Sequence, residues 1–201
     1  MIKREYRSEL RVDGEGNARK LVGHAAVYDQ DSEVLGGWFI ETVRAGAFSE
    51  TIQDDIRCLF NHDPNYVLGR TKAKTLRLFD EPRGLRIECD APDTQVSRDL
   101  MTSIARRDID GMSFAFEILE DRWTFSREAG KPSRRELLKV KLYDVAPVTF
   151  PAYPQTDVSV RAGDAEANRR TFEDAARRHG FDPLQLERAR LALAEAELDL
   201  G

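Results

Sequence analysis

Three side chains in this 201-residue chain have the types that acyl-transfer chemistry needs: His62, Ser113 and Asp144. A serine hydroxyl is a weak nucleophile until a neighbouring imidazole takes its proton. That imidazole works best when a carboxylate orients it and balances its developing charge. The chain order His–Ser–Asp differs from that of other acyl-transfer enzymes, but such triads are defined by geometry and not by order. No G-x-S-x-G elbow is present, and spacing alone carries little.

Strand parity sharpens each candidate. In Cys58-Leu59-Phe60-Asn61-His62-Asp63-Pro64, the residues Ile56, Cys58 and Phe60 share one face and His62 falls on the same parity before Pro64 ends regular pairing. This predicts a half-buried imidazole at the rim of a core, suited to general-base work near neutral pH. The same pattern also fits a structural histidine. In Asp110-Gly111-Met112-Ser113-Phe114-Ala115-Phe116, the apolar Met112, Phe114, Phe116 and Ile118 alternate. Ser113 then points to the opposite face, which predicts an exposed hydroxyl on rigid backbone, although a strand serine is ordinary in itself. Asp144 shares parity with Val140, Leu142, Ala146 and Val148. A carboxylate on an apolar face needs a partner, either an imidazole that becomes cationic or an arginine in a structural salt bridge.

The elements that must hold these residues are mostly strands. Alternating or apolar runs predict strands at Tyr6–Val12, Lys20–Tyr28, Asp54–Asn61, Thr75–Phe79, Gly84–Asp90, Met112–Asp121 and Leu137–Tyr143 continuing to Val148. Turn-forming clusters such as Asp80-Glu81-Pro82-Arg83-Gly84 separate them. Helices are predicted over Ala45–Gln53 and Ser97–Asp108, the second from Leu100/Ile104 and Met101/Ala105 at i, i+4 with Gly111 just beyond. The pattern is α+β and β-rich, a barrel or sandwich with helices outside.

Residues 163–201 read differently from 1–162. Thr171 is expected to N-cap a helix over Phe172–His179 that Gly180 ends, after an Ala162-Gly163-Asp164-Ala165 linker. Asp182-Pro183-Leu184-Gln185 then reads as a capping box for a helix with Leu186, Leu193 and Leu200 seven apart, separated by Ala189 and Ala196. That narrow stripe fits a coiled-coil seam, a helix docked on a partner, or one lying on its own domain.

Composition excludes several classes. A formal charge of −5, from 31 Lys+Arg and 36 Asp+Glu, argues against general nucleic-acid binding. No run approaches the apolar length of a membrane span, and the start lacks the apolar region of a secretory signal. Two cysteines and three histidines are too few for a disulfide scaffold or a Cys/His zinc site. The expectation is a soluble, reduced, intracellular protein.

An ordered series of segments carries a resemblance. Gly23-His24-Ala25-Ala26-Val27-Tyr28, Glu41-Thr42-Val43-Arg44-Ala45-Gly46-Ala47-Phe48, Phe60-Asn61-His62-Asp63 with Leu68-Gly69, Gly84-Leu85, Asp110 to Phe116, and Val148-Thr149-Phe150-Pro151-Ala152-Tyr153 follow one another. In that order they resemble the tailed-phage prohead serine proteases, over about residues 2–161. The resemblance implies a closed β-barrel surrounded by helices, similar to the herpesvirus assemblins. It makes His62 the general base, Ser113 the nucleophile and Asp144 the acidic member, one methylene shorter than the family's usual glutamate. His24 stands as a fallback third member, since the related viral enzymes use a second histidine.

No cofactor or metal is implied. The implied substrates are the scaffolding segment of the major capsid protein, any separate scaffold protein and the protease itself. The implied setting is the procapsid in the bacterial host cytoplasm, with a homodimer as in the herpesvirus relatives and no nucleic acid or membrane partner. The helical tail at 163–201 then reads as a scaffold-like segment that recruits the protease and is later trimmed. Two other readings stay open: an inactive capsid-assembly relative with the same barrel, and an unrelated serine hydrolase or binding barrel.

Overall fold

In a computed structural model, residues 2–7, 10–13, 20–126, 128, 131–149, 162–181, 185 and 188 are described. They form strands β1 (Ile2–Arg7), β2 (Arg11–Asp13), β3 (Lys20–Val27), β4 (Phe39–Val43), β5 (Arg57–Leu59), β6 (Val67–Arg70), β7 (Leu76–Glu81), β8 (Gly84–Asp90), β9 (Gly111–Thr124) and β10 (Ser133–Val148). Two helices accompany them, α1 (Gln95–Ala105) and α2 (Ala162–Arg178).

The strands make two sheets. One runs β1-β9-β10-β5-β6, with β4 also paired to β10, and the other runs β2-β3-β8-β7. Closure into a barrel requires the last strand of a path to pair with the first. Neither sheet does so among the described residues, and no ladder joins the two. The described residues thus form two sheets that do not close, with two helices, and the expected closed, helix-ringed barrel is not seen among them. The α+β, β-rich class stands.

Chain contacts divide into two units. The first comprises Met1–Asp29, Val43–Glu120 and Leu138–Pro154, and the second Gln30–Thr42, Asp121–Leu137 and Gln155–Gly201. In the first unit, β7 and β8 form the hairpin that the Pro82-Arg83 turn predicts, pairing Glu81 with Gly84. The sheets of this unit meet where β6 crosses β8. A Cβ on Gly69 would lie 2.6 Å from Cys89 Sγ, so only glycine lets the strands come this close. Helix α1 starts two residues before its predicted position, because Thr94 caps it by accepting a bond from the Ser97 amide. Its buried face carries Ser97, Leu100, Met101 and Ile104. It ends at Ala105, with Arg107 at φ 67° in the position where glycine is common.

Three other expectations are corrected here. Residues 45–53 are not a helix but successive turns, bonded Ala47 N to Arg44 O, Ser49 N to Gly46 O and Thr51 N to Phe48 O. Val140 N donates to Ala47 O and Thr51 Oγ1 donates to Val140 O, so this segment satisfies the edge of β10 instead of propagating a helix. The Tyr6–Val12 run is split between β1 and β2, and β4 and β6 are strands that the pattern missed.

In the second unit, α2 begins at Ala162, so Thr171 lies inside the helix and the expected linker is helical. Its end follows the prediction: Gly180 at φ 79° sits between the bonds Gly180 N to Arg177 O and Phe181 N to Ala176 O. Phe172 and Ala176 bury against Trp38 and Phe39, with Trp123 and Phe125 packed around them. The capping box and the heptad leucines lie outside the described residues, apart from Gln185, which is helical. Among the described residues no helix is long and apolar enough to cross a membrane.

Candidate active site

Ser113 and Asp144 come from neighbouring strands of the larger sheet, β9 and β10, and β5 lies on the other side of β10. Alternation fixes the face of Ser113. Phe114 packs edge-to-face on Phe48 at 5.3 Å and stacks on Phe116 at 4.8 Å, so Ser113 is turned to the other side. Asp144 is set by the parallel pairing of β10 with β5, where Asp144 is matched to Arg57 and Val145 to Cys58.

His62 arrives by another route than the one expected. Strand β5 ends at Leu59, and a bulge between Cys58 and Leu59 breaks its register with β6. The chain then turns: Phe60 N donates to Tyr66 O, Asp63 N to Phe60 O, and Tyr66 N to Asp63 O. Asn61 and His62 have φ of 53° and 57°, two successive left-handed residues without a glycine. Such conformations are sparse and persist only where the surroundings hold them. A turn, and not strand parity, therefore aims the imidazole.

The ring bridges the other two candidates. His62 Nδ1 is 2.5 Å from Asp144 Oδ1, and His62 Nε2 is 2.5 Å from Ser113 Oγ. An ionised carboxylate only accepts hydrogen bonds, so Nδ1 carries the proton and Nε2 presents its lone pair to the serine hydroxyl. This is the arrangement of an activated nucleophile, its base and the group that orients the base. The shorter aspartate reaches the ring. His24 does not take part: it pairs with Arg86 in the smaller sheet, and its ring lies 4.0 Å from Glu81.

Burial departs from the prediction. Ser113 has no exposed surface, because both faces of β9 are covered from Gly111 to Phe116. The side chains of His62 and Asp144 are only 3% and 7% exposed. The expected exposed hydroxyl and half-buried imidazole are thus both sealed. Beside them Cys58 is fully buried, and its thiol is pushed well up by a hydrogen bond with Cys89, by burial, and by the charge of Asp144. It stays protonated and does not compete as a nucleophile. Sequence reasoning gave no separate role to Asn61 or Thr149, which bond each other beside His62. The readiness of asparagine to adopt positive φ was the available signal for Asn61.

Comparison with known families places this geometry in context. Residues 6–171 match the family described as Caudovirus prohead serine protease. Neither the curated proteins nor the solved structures yielded a match.

Proposed function

The chain belongs to the caudovirus prohead serine protease family, and from that premise we propose that it is an endopeptidase that cuts the scaffolding segment of the major capsid protein, any separate scaffold protein and itself. One observation supports the reading above all others: a single imidazole within 2.5 Å of both a serine hydroxyl and a carboxylate. In the proposed mechanism Ser113 Oγ attacks the scissile carbonyl carbon while its proton passes to His62 Nε2. Asp144 keeps Nδ1–H in place and balances the imidazolium. The tetrahedral intermediate then expels the amine, which takes the proton from His62. Water, deprotonated by the same ring, releases the acyl group from Ser113.

The site acts inside the procapsid, where removing scaffold frees interior volume. Residues 163–201 are proposed as a segment that recruits the protease during assembly. Phe172, Ala175 and Ala176 are buried, so trimming within α2 would strip a packed face. That burial supports placing the proposed self-cleavage beyond Phe181.

The complete burial of Ser113 favours a second reading, an inactive capsid-assembly protein with the same strands. One experiment separates the two: co-expression with the cognate major capsid protein, followed by intact-mass spectrometry of both chains, alongside Ser113→Ala. Discrete truncations that vanish in the variant are expected. Identical masses in both samples, despite assembled particles, would establish the second reading.

A further inference from the structure

We infer that Asn61 is a positioning residue for His62, its side chain completing the ladder between β5 and β10 where the main chain turns away. The inference rests on the proposed triad and concerns what holds it together. In a parallel ladder a paired residue uses both its N–H and its C=O, one to each residue flanking its partner. Asn61 N donates to Pro147 O at 3.0 Å, so its carbonyl is due to receive the amide of Thr149. At φ 53° the chain is already leaving the sheet, and the Thr149 amide donates instead to Asn61 Oδ1 at 2.9 Å. The side-chain amide stands in for the main-chain carbonyl, as Asx side chains do in turns. A third bond, from Asn61 Nδ2 to Thr149 Oγ1 at 3.1 Å, fixes its orientation.

These three bonds tie the first left-handed residue to the strand that carries Asp144. His62, the second, has its ring held at 2.5 Å from Asp144 Oδ1. Left-handed backbone is sparse and costly for any residue but glycine, histidine included, so without the clamp the turn relaxes and the ring leaves its two partners. Asn61 itself is exposed and outside the packed core, so its replacement acts on geometry while the fold persists.

The test reads geometry and turnover separately. In the full-length protein the Nδ1–H proton held by Asp144 gives a far-downfield proton NMR signal, assigned by its loss in His62→Ala. Asn61→Gly keeps the backbone freedom but removes both side-chain bonds. It is expected to lose the signal and to lower kcat about tenfold or more, with KM within about twofold. Asn61→Asp keeps the acceptor for the Thr149 amide and is expected to retain the signal, with kcat within about threefold of wild type. Thr149→Val removes one bond and should fall between them. Asn61→Gly with signal and kcat unchanged would overturn the inference, as would a wild type with no such signal. A wild type that shows the signal but cleaves nothing would sink the protease reading alone, and the signal in Asn61→Gly would still decide the role of Asn61.

Discussion

His62 Nε2 lies 2.5 Å from the hydroxyl of Ser113, a residue with no exposed surface at all. In the proposed mechanism this pair is assembled before any substrate can reach it. The proposed mechanism therefore requires an opening step, and such steps often set turnover. The step can be read from a thiol at the same position. In Ser113→Cys the new sulfur, like Cys58 and Cys89, is expected to react with Ellman's reagent slowly in the native protein and fully after unfolding. Reaction of one thiol within the mixing time would show that the site is already open.

Asp144 is matched to its position by length. Asp144→Asn preserves the shape but no longer dictates the imidazole tautomer, and is expected to lower kcat by about a thousandfold or more with the fold intact. Asp144→Glu adds a methylene where the side chain is 7% exposed and already in contact with His62. Overpacking should displace the ring and cost about tenfold in kcat. Steady-state cleavage of a scaffold-segment peptide checks both. Full activity in Asp144→Glu would mean that the site has slack which the 2.5 Å contact does not show.

The two sheets approach each other closely at Gly69. Gly69 pairs with Cys58 on β5, and a Cβ there meets Cys89 Sγ at 2.6 Å and Thr75 O at 3.1 Å. Gly69→Ala is expected to destabilise the protein by about 1–3 kcal/mol. Urea denaturation measures this directly, and an unchanged midpoint would contradict the close approach.

Stability should be lost at both ends of the pH scale. Arg134 holds the Asp31 carboxyl below its usual range, Arg70 does so for Asp55, Arg86 for Glu88 and Arg77 for Asp90. The unfolded chain protonates these groups at higher pH than the folded one. Their contribution is therefore present above about pH 4 to 5 and lost as pH falls through the lowered values. Tyr28 is pushed up, chiefly by burial and then by its 2.7 Å hydrogen bond to Asp80. Its contribution is complete below about pH 10 and declines above, where the unfolded phenol ionises first. Melting temperatures across this range should show both flanks, with the alkaline one shallower in Tyr28→Phe. A wild-type Tm that stays level above pH 10 would contradict the role of Tyr28.

The local alternation around Ser113 and Asp144 was enough to assign their faces, because both sit within long strands whose apolar partners repeat strictly. His62 was legible as a candidate but not as a geometry. Two left-handed residues place its ring, and nothing in strand parity encodes a turn of that hand. The full burial of Ser113 was hidden for a related reason: alternation separates the faces of a strand but does not say what lies over each. The open sheets were equally out of reach, since which strands pair across long separations is set by tertiary packing. Short β4 and β6 are too brief to show a period, and the turns at 45–53 spend their hydrogen bonds on β10 instead of on a helix. At 162–170 the sequence has helix-compatible residues but no capping signal, whereas Thr171 offers a visible cap, so the pattern predicts a later start than the one α2 has.

The central claim is that His62 activates Ser113 for attack. Its most direct measurement is labelling of the folded protein with a fluorophosphonate, with the adduct located by peptide mapping in wild type, Ser113→Ala and His62→Ala. A single adduct on Ser113 is expected, formed slowly in wild type and absent from both variants. No adduct in a wild type that still cleaves capsid protein, or equal labelling in His62→Ala, would contradict it.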